Sequence, residues 1–98
     1  MKYFDYVQKE VTRYYGNVNW LITRETAEDN YLNGIPMKKG TVMSLNWFGN
    51  HFNPKYFKDP MEFRPERWES ECSNLPPYVM GGFSGGARTC IGKNLALL

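Results

Sequence analysis

The chain has 98 residues, with 12 Lys and Arg against 10 Asp and Glu, one His and a net charge of +2. So small a balance excludes the basic footprint of a nucleic-acid binder, and no uninterrupted apolar run approaches the roughly 20 residues of a membrane-spanning helix. Leu, Ile, Val and Phe make up about a fifth of the sequence, near the lower bound for a globular core, so one small unit with an aromatic-rich interior is expected.

Two cysteines, Cys72 and Cys90, are too few for a disulfide framework, and residues 1–15 lack the basic-then-apolar pattern of a signal peptide. From Lys2 to Tyr15, Phe4, Val7, Val11 and Tyr14 or Tyr15 recur every three to four residues, the period of an amphipathic helix, which Gly16-Asn17 stops. Val18–Thr23 reads as a short strand and Arg24–Asn30 as a polar connection. Asn33-Gly34, between Tyr31-Leu32 and Ile35-Pro36-Met37, is a hairpin signal; Lys39-Gly40 marks a second turn before a strand at Thr41–Leu45. Residues 18–45 are therefore expected to form one small, mostly antiparallel sheet.

After Asn46 the periodicity ends. Pro54, Pro60, Pro65, Pro76 and Pro77 punctuate a long, aromatic-rich irregular meander through which no helix is expected to run, and it leads to Gly81-Gly82-Phe83-Ser84-Gly85-Gly86. Ile91–Leu98 has helical composition for about two turns. The fold class expected is α+β: N-terminal helix, small sheet, Pro-rich meander, cysteine loop and the start of a C-terminal helix.

Phe83-Ser84-Gly85-Gly86-Ala87-Arg88-Thr89-Cys90-Ile91-Gly92 satisfies every fixed position of F-x-x-G-x-R-x-C-x-G. A glycine-rich turn holding one structural thiol is the plain alternative, because free Cys is commonly buried. A phosphate loop is disfavoured: G-x-x-x-x-G-K-[ST] would need glycine where Ala87 stands and a hydroxyl where Asn94 stands. A zinc site lacks a fourth ligand and the short cysteine spacing such sites favour.

This ten-residue segment resembles the haem-binding signature of the cytochrome P450 family, the haem-thiolate monooxygenases. The resemblance implies haem b, iron protoporphyrin IX, with Cys90 as axial iron ligand. At the start of an Ile91–Leu98 helix, free N–H groups and the helix dipole would favour the thiolate. Gly86 and Gly92 would let backbone approach the porphyrin without a Cβ. Arg88 would offer a bidentate fork to a haem propionate, and Phe83 would shield the sulfur from water.

Glu10 and Arg13, three residues apart on the first helix, read alone as an ordinary surface ion pair. The family carries an E-x-x-R pair on a helix upstream of the cysteine loop, joined by an arginine from a P-E-R-[WF] stretch, and Pro65-Glu66-Arg67-Trp68 matches it. Glu10, Arg13 and Arg67 are thus expected to form a structural triad fixing the loop, each charge compensated. Arg24 is either a second propionate contact or a surface charge. Val18, Asn19, Trp20 and Leu21 either border substrate or form a core strand. His51 is a structural or propionate-side histidine, and Cys72 a free loop thiol. Trp47, Phe48, Tyr56, Phe57 and Trp68 are packing residues of the meander.

The similarity runs over the whole chain in the family's order, with two departures: Gly82 stands before Phe83 where proline is common, and Gly16-Asn17 follows the first helix where prolines are usual. Both are expected to loosen backbone. The resemblance implies a partial domain, residues 1–98, truncated at both ends, from the proximal portion of a mainly α enzyme. The parent would insert one oxygen atom from O2 into a small organic substrate with electrons from a reductase. Its association with the endoplasmic reticulum membrane follows by family analogy, but not through this segment. No catalytic residue lies in the segment, and alone it is expected to retain haem poorly and not turn over. The alternative is a non-catalytic or vestigial haem-binding fragment.

Overall fold

The computed structural model describes residues 1–16 and 22–98. Helix α1, Lys2–Tyr15, ends in a left-handed Gly16 with φ 35°, a C-terminal stop that glycine adopts without a Cβ penalty. Strands β1 (Thr23–Glu25), β2 (Asn30–Leu32), β3 (Ile35–Met37) and β4 (Val42–Ser44) follow, then helix α2 (Trp47–His51), 3₁₀ turns at Pro65–Trp68 and Gly86–Arg88, and helix α3 (Lys93–Ala96). The architecture is a small α+β one. Residues 17–21, which hold most of the strand expected at Val18–Thr23 and all of Val18, Asn19, Trp20 and Leu21, lie outside the described residues.

Among the described residues the strands pair as two antiparallel ribbons, β1 with β4 and β2 with β3, where a single sheet was expected. Thr23 faces Ser44 and Glu25 faces Val42 in one; Asn30 faces Met37 and Leu32 faces Ile35 in the other. The turn chemistry explains the second ribbon. Asn33 and Gly34 both have positive φ, 48° and 79°, the two-residue geometry whose twist matches paired strands. The Asp29 carboxylate, just before β2, accepts from the Lys39 N–H and pairs with Lys38, just after β3, closing the ribbon at the end opposite its turn.

The meander is not free of helix, contrary to expectation. Asn46 Oδ1 accepts the Gly49 N–H at 3.2 Å, an N-cap that lets five residues, too few to show a period, wind into α2. Phe57, Trp68, Cys72, Val79 and Tyr6 form the small core, with Tyr56, Leu75 and Met80 packed against it. Cys72 is a free thiol in the turn after Pro65–Trp68, as expected, but one buried in this core, and burial raises its pKa. At the chain's end α3 spans only one turn and begins at Lys93, so the two-turn helix expected from Ile91 is shorter and starts later.

Which face of α1 is buried differs most from the apolar periodicity. Phe4 and Val11 are exposed, whereas Tyr6, Glu10 and Arg13 are buried. The Pro65–Trp68 turn packs on α1 and brings a second guanidinium and an indole to that stripe, so the charged face becomes the interior one.

Candidate functional site: a strapped cysteine loop

Glu10, Arg13 and Arg67 are all at 0 % exposure and meet in one network. Arg13 Nη2 and Nε donate to Glu10 Oε1 and Oε2 at 2.7 and 3.0 Å, a bidentate pair. Arg67 Nε donates to Glu10 Oε1 at 3.1 Å, the Arg64 N–H to the same oxygen at 3.0 Å, and Trp68 Nε1 to Oε2 at 2.9 Å. The remaining guanidinium N–H groups bind meander carbonyls. Arg13 reaches His51, Pro60 and Glu62; Arg67 reaches Lys58, Asp59 and Glu62.

Burial alone would push the Glu10 carboxyl up; the bonds from Arg13, the Arg64 N–H and Trp68 outweigh it and hold the group below its ordinary value. A buried ion cluster tolerates its desolvation only when lone pairs and protons are matched, and these five donors on one carboxylate match them. The rings of Tyr14, Phe52 and Phe57 flank Arg13, with centroids 5.2–5.5 Å from its guanidinium carbon. His51 is fully buried; burial outweighs the opposing hydrogen bond from Arg13 and holds its imidazole below the ordinary value, and its carbonyl serves the network.

The meander thus anchored leads into the glycine run, where three glycines are close-approach positions. A Cβ on Gly81 would lie 2.0 Å from the Trp47 ring, one on Gly82 2.5 Å from Thr12 Cγ2, and one on Gly85 2.7 Å from the Tyr78 ring. Gly82 therefore does not loosen the backbone there; it lets the loop pack against α1. Gly86 has φ +69° and open space around it, so its need is conformational. Gly92, with φ −82°, has no such need, and a Cβ there would stand 3.8 Å from Cys90 Sγ, an ordinary contact.

Backbone bonds close the loop on itself. Ser84 N–H donates to the Gly81 carbonyl and Cys90 N–H to the Phe83 carbonyl, both at 2.9 Å, and the Cys90 carbonyl accepts from Lys93 N–H at 3.2 Å. Cys90 is a free, exposed thiol. It precedes a four-residue helix by three residues, so the dipole expected to act on it has a single turn behind it. Half-buried Phe83 does not cover the residue, and the water exclusion expected of Phe83 is not supplied by these residues alone.

Cys90 and Arg88 share with Arg24, Phe83, Ser84, Gly82, Ile22 and Thr23 a concavity of about 350 Å³. Arg24 reaches across it, donating through Nη2 to Ser84 Oγ at 3.4 Å and through Nη1 to the Thr23 carbonyl. Arg88 is exposed, and its side chain makes no hydrogen bond or ion pair among the described residues. The concavity thus combines an exposed thiol, two guanidiniums at its margin and an aromatic side chain, a donor set that fits an anionic, planar, iron-bearing group. Among the described residues no three His, Cys, Asp or Glu side chains gather to chelate a bare metal ion.

The apolar sequence pattern gave no sign of Trp68 as a network donor, although the P-E-R-W string placed it beside Arg67. It likewise missed Thr12 and the carbonyls of His51, Pro60 and Glu62. No side-chain pattern marks a carbonyl as an acceptor.

Helix, paired ribbons, 3₁₀ turn and glycine-rich loop together define a scaffold that presents one thiol from a strapped, irregular segment. Residues 1–98 match the family model described as Cytochrome P450, and the chain belongs to that family. It is 38 % identical to cytochrome P450 3A15 of Cavia porcellus over all of this chain and 20 % of that protein. With cytochrome P450 4e2 of Drosophila melanogaster it shares 44 % identity over all of this chain and 18 % of that one. A solved structure, retinoic acid bound cyanobacterial CYP120A1, superposes with a TM-score of 0.88 at 33 % identity, covering 99 % of this chain and 23 % of its own. The chain spans about a fifth of the length of the curated relatives it matches.

Proposed function

We propose that the protein to which this segment belongs is a haem-thiolate monooxygenase, and that residues 1–98 form part of its domain, the proximal side of the haem site. The observation that carries the reading is Cys90: an exposed thiol in a concavity with Arg88 and Arg24, on a loop strapped to a buried charge network. Haem b, when bound, supplies O2 chemistry in which one oxygen atom enters an organic substrate and the other leaves as water, with electrons from a reductase. Cys90 would supply the thiolate that holds the iron. Arg88, unengaged by other described side chains, and Arg24 hold the propionates, whose charge calls for more than one charge-assisted partner. Gly86 supplies the left-handed turn that brings Arg88 and Cys90 round to the same concavity. Glu10, Arg13 and Arg67 do no chemistry; they hold the meander carbonyls in place so that the loop has a fixed base.

No described helix is long and apolar enough to cross a membrane, so any membrane attachment of the parent is proposed to lie outside these described elements. The reading is tested by the absorption spectrum of the reduced, CO-bound intact protein with and without Cys90→Ser. A red-shifted Soret band abolished by the substitution is expected. An unchanged band contradicts thiolate ligation, and a thiolate band without turnover favours a non-catalytic haem-binding protein.

A further inference from the structure

Gln8 and Thr12 stand one turn apart on α1, on the side turned toward the cysteine loop. Gln8 Nε2 donates to the Ala96 carbonyl at 3.1 Å, beyond Cys90 in the chain; Thr12 lies against Gly82, ahead of it. A Cβ added to Gly82 would come within 2.5 Å of Thr12 Cγ2. That methyl is not free to swing aside, because Thr12 Oγ1 donates to the Gln8 carbonyl at 2.9 Å and so selects the side chain's χ1 in the helix. Gly82 is joined directly to Phe83, whose carbonyl accepts the Cys90 N–H at 2.9 Å. A shift at Gly82 therefore passes through one hydrogen bond to the residue that carries the sulfur.

We infer that Thr12 is a positioning residue: its hydroxyl-locked γ-methyl sets how closely Gly82 seats on α1, and thereby where the loop holds Cys90. This rests on the haem-thiolate reading. The mechanism is steric. Close-packed interiors do not absorb such an overlap without displacement, and the loop, with half-buried and exposed residues from Gly82 to Cys90, gives way before the helix does. Thr12→Ser keeps the hydroxyl and its bond but deletes the methyl, so it makes room for a Cβ at position 82. Thr12→Val keeps a γ-methyl and does not.

The test compares Gly82→Ala, Thr12→Ser and the double variant in the intact, haem-loaded protein, reading haem retention, the reduced CO band and the iron midpoint potential. Gly82→Ala is expected to weaken haem retention on the order of tenfold and to shift the band and the potential. Adding Thr12→Ser is expected to restore them, and adding Thr12→Val is not. Should Gly82→Ala not fold, Thr12→Ser alone, which deletes one methyl and keeps the hydroxyl bond, is expected to fold and to shift the potential. A Gly82→Ala protein with unaltered retention, band and potential overturns the inference, as does failure of Thr12→Ser to rescue or, where it is the only folded variant, to shift the potential. Cys90→Ser in parallel separates the cases: loss of the thiolate band there, with Gly82→Ala silent, defeats the positioning role only, whereas a persistent band defeats the haem-thiolate reading itself.

Discussion

Glu10 shows how one carboxylate organises a stretch of irregular chain. Its two oxygens receive the Arg13, Arg67 and Trp68 side chains and the Arg64 N–H, and the arginines in turn hold five meander carbonyls. Glu10→Gln leaves two buried guanidiniums without their counter-charge, and the expected loss of stability is about 3–5 kcal/mol, measured as a lowered denaturant midpoint. The pH dependence follows in sign. Glu10 has a depressed pKa in the folded chain, so its contribution is complete above the ordinary value of 4.5 and is lost as pH falls through the folded value. His51, also depressed, favours the fold above its ordinary 6.5, and its contribution is lost below that. Stability is thus expected to fall on acidification from about pH 6.5, and His51→Gln is expected to remove the upper part of that slope. A titration of melting temperature against pH checks both. Three motif strings marked these positions in the sequence, because each residue is a fixed position of one of them: Glu10 and Arg13 of E-x-x-R, Arg67 of P-E-R-W, and Arg88 and Cys90 of F-x-x-G-x-R-x-C-x-G. Trp68 as a donor was not legible, since an indole reads as packing until its neighbour is known.

The elements were legible where turn or cap chemistry is local and illegible where packing decides. The Asn33-Gly34 hairpin and the end of α1 at Gly16 follow from residues that accept positive φ. The division into two ribbons does not, because strand pairing beyond a hairpin depends on contacts distant in sequence. Helix α2 was hidden by its length, and it depends on its cap: Asn46→Ala is expected to cost about 1 kcal/mol and to release Trp47 from Gly81. Glycine substitutions separate two roles in the cysteine loop. Gly86→Ala meets open space and should cost only the backbone strain of a positive φ, about 1–2 kcal/mol. Gly81→Ala, with Trp47 at 2.0 Å, should displace α2 and cost more. Thermal denaturation of the pair checks the ordering, and equal losses would contradict it.

Across the whole molecule, the described core is small and is built as much from a charge network as from hydrocarbon. Phe4, Tyr31, Leu32, Ile35, Val42, Ile91 and Leu95 are exposed, a larger apolar display than a small soluble monomer ordinarily carries. Expressed alone, the 98-residue segment is expected to self-associate and to retain haem weakly, which sedimentation and haem titration against the intact protein would check; a monomer with full haem affinity would contradict this. The family was legible because its motifs occur in order along the entire chain. The burial of α1's charged face was not, because apolar periodicity reports where hydrocarbon recurs and cannot report that a second arginine arrives from residue 67. The proposed haem-thiolate function turns on the identity of one iron ligand. X-ray absorption at the iron edge of the intact, haem-loaded protein should resolve a sulfur scatterer that Cys90→Ser removes; a first shell of nitrogen and oxygen alone in the unsubstituted protein would contradict it.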